Sequence, residues 1–190
     1  MSAGQSTTPV DRDRAVPLCV DLDGTLIKTD LFWESSVLLL RRNPLWLFVL
    51  PFWWMKGRAH LKRQIAARSG QLDPARLPYN ESFLEFLRGE HRRGRPLILA
   101  TASDSSLAQQ VADHVDLFCE VLASDGRTNL RGSAKRRQLV AKYGERGFDY
   151  AGNSAVDLAV WRQARAAIVV NARKGLARRA AKLTTVSATF

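Results

Sequence analysis

The chain has 190 residues and a hydrophobic fraction of 46%, enough for one compact domain with a core and a modest insertion, and too apolar for a disordered chain. A net charge of +11 points to anionic partners, whether phosphorylated substrates, acidic membrane surfaces or nucleic acid, without choosing among them. Two cysteines exclude a disulfide framework: Cys19 and Cys119 each adjoin an apolar run and read as reduced core residues of a cytoplasmic protein.

Residues 1–16 read as a flexible leader; the polar stretch 1–14 lacks the apolar centre of a secretory signal. Leu18-Cys19-Val20-Asp21-Leu22 then has a short strand pattern, stopped by the turn signal Asp23-Gly24. From 30 to 79 the pattern becomes helical and aromatic, with four of the five tryptophans (Trp33, Trp46, Trp53, Trp54), and reads as a separate cap. Asp30 is placed to cap its first helix, with Glu34 in the first turn, and a basic helix near Lys56 to Arg68 ends at Ser69-Gly70. Within the cap, Leu45 to Met55 (LWLFVLPFWWM) has no polar residue, but it falls short of the about 20 apolar residues a spanning helix needs. Arg41-Arg42-Asn43-Pro44 bars its extension. A buried helix pair, an interfacial element and the wall of an apolar pocket all remain open.

Beyond the cap, helices over 81–93, 105–114, 133–143 and 156–164 alternate with apolar strands over 96–100, 120–123, 148–151 and 167–170. This predicts an α/β fold, a doubly wound parallel sheet with a small helical cap inserted after the first strand. The core spans 17–29 and 80–182, the cap 30–79, and 183–190 is a tail or linker. Ligands of such sheets bind at the carboxyl ends of the strands, so the polar residues there are the candidates.

The first is Asp21-Leu22-Asp23-Gly24-Thr25. Of two carboxylates at i and i+2 after a strand, one can attack phosphorus while the other gives a proton to the leaving group and then activates water. Next comes Thr101, whose hydroxyl, with the following backbone N–H groups from Ala102 on, can hold phosphate oxygens; Ser103 or Asp104 would cap the helix that follows. Lys135, near the start of a helix, can neutralise a nucleophile and a phosphate together. Last, Asn153 and Asp157 offer oxygens suited to Mg²⁺.

In this order the four segments resemble the haloacid dehalogenase superfamily of phosphatases, whose pattern is DxDGT, a Ser/Thr after a strand, a lysine and an acidic GDxxxD-type motif; the likeness runs from about Pro17 to Asn171. The resemblance implies Asp21 as nucleophile, Asp23 as acid and base, and Thr101, Ala102 and Lys135 as phosphate binders. It also implies Mg²⁺ held by Asp21, the Asp23 carbonyl and Asn153; Asp157, one helical turn further along, is placed to compensate through a water for a charge missing at position 153. Asn153 stands where that pattern has Asp, which removes one negative charge from the metal site.

The phrases DLDGTLIKTDLFWES, LPYN, LATASD and GNSAVDLAVW further resemble the phosphatase domains fused ahead of UbiA-type membrane prenyltransferases, in which asparagine is usual at that position. That narrower resemblance implies a UbiA-type partner and a lipid-linked substrate such as a polyprenyl-phosphoryl 5-phosphoribose. It points the same way as the residues, since an apolar, aromatic cap flanked by Arg41, Arg42, Lys56 and Arg58 suits peripheral contact with the inner face of the membrane or a polyprenyl phosphate. Tryptophans packing the cap's own core are the equal alternative. A catalytically weak regulatory or membrane-docking module is the competing reading. A specific nucleic-acid function is not expected, since no recognition motif accompanies the arginines of the last third.

Overall fold

A computed structural model describes residues 16–69 and 73–190. Residues 1–15 of the expected leader and Gly70 of the expected helix stop lie outside the described residues. Six strands, β1 (Leu18–Val20), β2 (Leu97–Asp104), β3 (Glu120–Ser124), β4 (Asp149–Gly152), β5 (Ala166–Val169) and β6 (Thr185–Thr189), form one parallel sheet in the order β3-β2-β1-β4-β5-β6. The order reverses at β1, between β2 and β4, and there the crevice for a ligand opens.

Period-two alternation divides the strand side chains between two cores. Leu18, Val20, Leu97 and Leu99 face one side, against α4 (Glu81–Arg92) and α5 (Ser105–Val115). Cys19, Ile98 and Ala100 face the other, against α6 (Ser133–Tyr143), α7 (Leu158–Trp161) and α8 (Leu176–Ala181). Between β1 and α4 the chain forms α1 (Leu31–Arg42), a 3₁₀ turn (Pro44–Phe48), α2 (Leu50–Met55) and α3 (Arg58–Arg68). These carry their own small core of Leu39, Leu61 and Ile65, with Phe32, Trp46, Leu50 and Trp53 packed on it. Asp30 caps α1 by accepting from the Phe32 N–H at 2.8 Å, as expected from sequence.

Several expectations are corrected. β2 runs on through Asp104 because its second half, past an irregularity, pairs with β3, so Thr101 and Ser103 are strand residues. The helix expected over 156–164 is a 3₁₀ turn (Ala155–Asp157) followed by the single turn of α7. Residues 183–190, expected as a tail or linker, include β6, which pairs with β5 at the sheet edge. Cys119 is exposed, while Cys19 is buried. No helix among the described residues is long and apolar enough to cross a membrane.

Candidate active site

Asp21 follows directly on β1, and the turn through Asp23 and Gly24 brings both carboxylates to one cavity of about 430 Å³. Gly24 has φ +75°, and a Cβ there would lie 1.9 Å from the Asn153 side-chain amide. Only glycine permits both that backbone and the close approach of the loop after β4. That approach sets Asn153 on the cavity wall with the two aspartates.

Behind Asp21 runs a buried polar chain. Lys135 Nζ, from the first turn of α6, donates to Asp21 Oδ1 at 2.7 Å and to the Tyr150 hydroxyl at 2.8 Å. The Tyr150 hydroxyl donates to Asp157 Oδ1 at 3.0 Å. The Lys135 side chain is 4% exposed and that of Asp21 13%, so the pair is shielded from solvent and orients firmly. Asp157 Oδ2 accepts from the N–H groups of Asn153 and Ser154, at 3.1 and 2.9 Å, and from the Ser154 hydroxyl at 2.9 Å. It therefore shapes the Asn153 loop by direct bonds.

Asp23 is held on both oxygens. Oδ1 accepts the Leu31 N–H at the start of α1, at 2.8 Å, and Oδ2 accepts the Ser103 hydroxyl at 2.6 Å. Thr101 is fully buried; its hydroxyl accepts the Ser103 N–H at 3.0 Å and lies 3.5 Å from Asp23 Oδ2. Ala102, rather than the Thr101 side chain, lines the cavity. Beside this part of β2, Lys62 of α3 donates to the Ala102 carbonyl at 2.8 Å, and Lys62, Arg58 and Arg131 complete a cationic wall.

Burial pushes the Asp21 carboxyl up to about 7, against the opposing pull of Lys135 and with Asp157 adding to the rise. Burial, then Asp30, also raises Asp23, while its bonds from Ser103 and Leu31 hold the rise back. A raised carboxyl suits an acid; a nucleophile must be ionised, and the pull of Lys135 on Asp21 is smaller than the push of burial. Hard oxygen donors on Asp21 and Asn153 facing one cavity fit a small hard dication such as Mg²⁺. No cluster of three His, Cys, Asp or Glu ligands occurs among the described residues, in keeping with an amide at position 153. The buried Cys19 thiol is pushed up to about 12, chiefly by desolvation, and is no competing nucleophile.

The cavity thus gathers Asp21, Asp23, Ala102, Lys135, Asn153 and Asp157. Sequence reasoning missed Ser103, Tyr150, Lys62 and Arg131 as parts of the site. Ser103 had a signal, since it sits two residues past Thr101 on the same face of an extended strand. Lys62 had none, because its contact with Ala102 spans forty residues.

Residues 18–162 match the haloacid dehalogenase-like hydrolase family. The chain is 38% identical over 158 residues to y4nM, an uncharacterized protein of Sinorhizobium fredii, an alignment covering 83% of this chain. The chain spans only 30% of that curated relative's length. Among solved structures, a Bordetella pertussis protein of unknown function superposes with a TM-score of 0.67 at 15% identity, covering 90% of this chain and 97% of that one. A phosphoserine phosphatase carrying an analogue of its phospho-aspartyl intermediate superposes with a TM-score of 0.59 at 13% identity, covering 93% of each chain. At these identities the two structures speak to the fold alone.

Proposed function

The chain belongs to the haloacid dehalogenase-like hydrolases, and on that premise we propose that it is a magnesium-dependent phosphatase that works through a phosphoaspartate on Asp21. The observation that carries the reading is Asp21 held by the buried Lys135, with the raised carboxyl of Asp23 in the same cavity at the end of the central strand. A phosphoserine phosphatase of this fold is known with a phospho-aspartyl intermediate analogue.

In the first step the Asp21 oxygen not bonded to Lys135 attacks phosphorus. The ester P–O bond breaks, and Asp23 protonates the departing alkoxide to give the free alcohol. In the second step the Asp23 carboxylate takes a proton from water. The water oxygen attacks phosphorus, the bond to Asp21 breaks, and inorganic phosphate leaves with both carboxyl groups restored. Lys135 and the backbone following Thr101, at Ala102, hold the phosphoryl oxygens, and Ser103 and Leu31 aim Asp23. Magnesium, when bound by Asp21, the Asp23 carbonyl and Asn153, would supply the positive charge that keeps Asp21 ionised and neutralises the phosphoryl group.

We assign the substrate to lipid-linked sugar phosphates, such as a polyprenyl-phosphoryl 5-phosphoribose. Arg58 and Arg131 supply cations beyond Lys135, suited to a second phosphate, and Phe32, Trp54 and Leu61 supply apolar wall suited to the lipid. The reaction that must supply such a substrate is transfer of a phosphorylated sugar onto a polyprenyl phosphate, the chemistry of a UbiA-type partner. Phosphate release from an aryl phosphate should require Mg²⁺ and fall by at least about 10³ in Asp21→Asn, the scale of losing a nucleophile. Metal-independent release, or release unchanged in the variant, would overturn the phosphatase reading. A preference for soluble sugar phosphates over the lipid-linked one would overturn only the substrate assignment.

A further inference from the structure

The cap divides its aromatic residues between two faces. Trp46, Leu50 and Trp53 turn inward onto Leu39, Leu61 and Ile65; the rings of Trp46 and Trp53 lie 5.4 Å apart, and the Arg68 guanidinium sits over both. The outer face of the same segment, formed by Leu45, Leu47, Phe48, Phe52, Trp54 and Met55, is left in solvent, from 54% exposed at Trp54 to 82% at Met55. Trp33 of α1 is 65% exposed, and with it these are all the exposed large hydrophobic side chains among the described residues. So much apolar surface gathered in one stretch marks an interaction face.

Its surroundings select the partner. No Asp or Glu occurs between Glu34 and Asp73, while seven Lys and Arg do. Arg41, Arg42, Lys56 and Arg58 are exposed around the apolar residues. A second copy meeting this face would set these cations against themselves, which costs association. An anionic lipid surface instead accepts aromatic and aliphatic side chains below the headgroups and draws lysine and arginine to the phosphates.

We propose that this face docks on an anionic bilayer surface, with the 3₁₀ turn at Pro44–Phe48 and α2 lying in the plane of the interface. The segment is too short to span and lies flat. Trp54, under the Arg58 guanidinium at 5.3 Å, belongs both to the docking face and to the cavity wall, so docking sets the cavity mouth at headgroup level. Binding to lipid does not depend on the phosphatase reading, and the two are tested apart.

The test is sedimentation of the full chain with phosphatidylcholine vesicles containing about 30% phosphatidylglycerol. Binding should exceed that to pure phosphatidylcholine and weaken as salt screens the headgroups. Phe48 and Phe52 neither line the cavity nor pack in the cap core. Phe48→Ser/Phe52→Ser should therefore weaken vesicle binding at least about tenfold, the least that withdrawing two phenylalanines from an apolar phase implies, with the unfolding midpoint and aryl-phosphate hydrolysis unchanged. Tryptophan emission should shift to the blue on vesicle addition and be quenched by brominated acyl chains. Failure to bind the anionic vesicles, or equal binding by wild type and the double variant, would overturn the proposal. So would a concentration-dependent dimer lost in that variant, which would give the face to a second copy.

Discussion

Gly24 shows how tightly single residues constrain this site. Its positive φ makes the turn that follows Asp23, and its missing side chain lets the Asn153 side chain pack against it at the cavity. Gly24→Ala should displace the Asn153 loop and lower kcat at least about a hundredfold, the cost of ångström-scale misplacement of a catalytic group. Circular dichroism should show the fold retained, and full activity would contradict the packing argument. The Asp21/Asp23 pair was legible in sequence because its spacing is local, within one turn. Lys135 was legible only by its order behind the other segments, since 29 basic residues make any one of them uninformative. Ser103 or Asp104 read as the helix cap because the strand seemed complete at Ala100, and Asp104 takes that role by accepting the Ser106 N–H. The Ser103 bond to Asp23 becomes visible only when β3 extends the pairing to Asp104. Cys119 misled because an apolar neighbour predicts a buried position poorly when the residue stands just outside a strand.

At the scale of elements, the amino end of the sheet is fastened by charge while the carboxyl end carries the candidate site. Asp149, the first residue of β4, has a side chain 4% exposed and pairs with Arg95 and Arg165; Arg95, 10% exposed, also binds Glu90 at 2.8 Å. Asp149→Ala would leave Arg95 buried without one of its two carboxylate partners, and should cost about 3 kcal/mol of stability as read from the urea midpoint. Activity per folded molecule should be unchanged, since the pair lies at the other end of β4 from Asn153; a loss at the site with normal stability would contradict this division of labour. The alternating α/β pattern and the insertion were readable from periodicity, because buried parallel strands are continuously apolar. β6 was not readable. Thr185, Val186, Ser187, Ala188 and Thr189 carry a weak pattern, and their conformation is set by pairing with β5 and by Phe190 packing on Phe83 and Phe86. The helix expected over 156–164 was shortened for a related reason: Asp157 is recruited to bind the Asn153 loop, and the chain turns early.

Across the whole molecule, two groups of the 29 basic residues stand out by position. Lys62, Arg58, Arg131 and Lys135 surround the cavity, and Arg41, Arg42 and Lys56 lie around the apolar face of the cap. Composition could not say which tryptophans pack inward, because the segment is apolar on every side. Folding turns Trp46 and Trp53 onto the cap core and leaves Trp33 and Trp54 outside. The proposed hydrolysis nevertheless rests on the covalent chemistry of one carboxylate. Acid quench of the protein during turnover with Mg²⁺ and a phosphate ester, followed by peptide mass spectrometry, tests it directly. A phosphoryl group on the peptide containing Asp21, absent from Asp21→Asn and discharged by hydroxylamine, is the result expected. Turnover with no phosphorylated Asp21, or with the phosphoryl group on another residue, would contradict it.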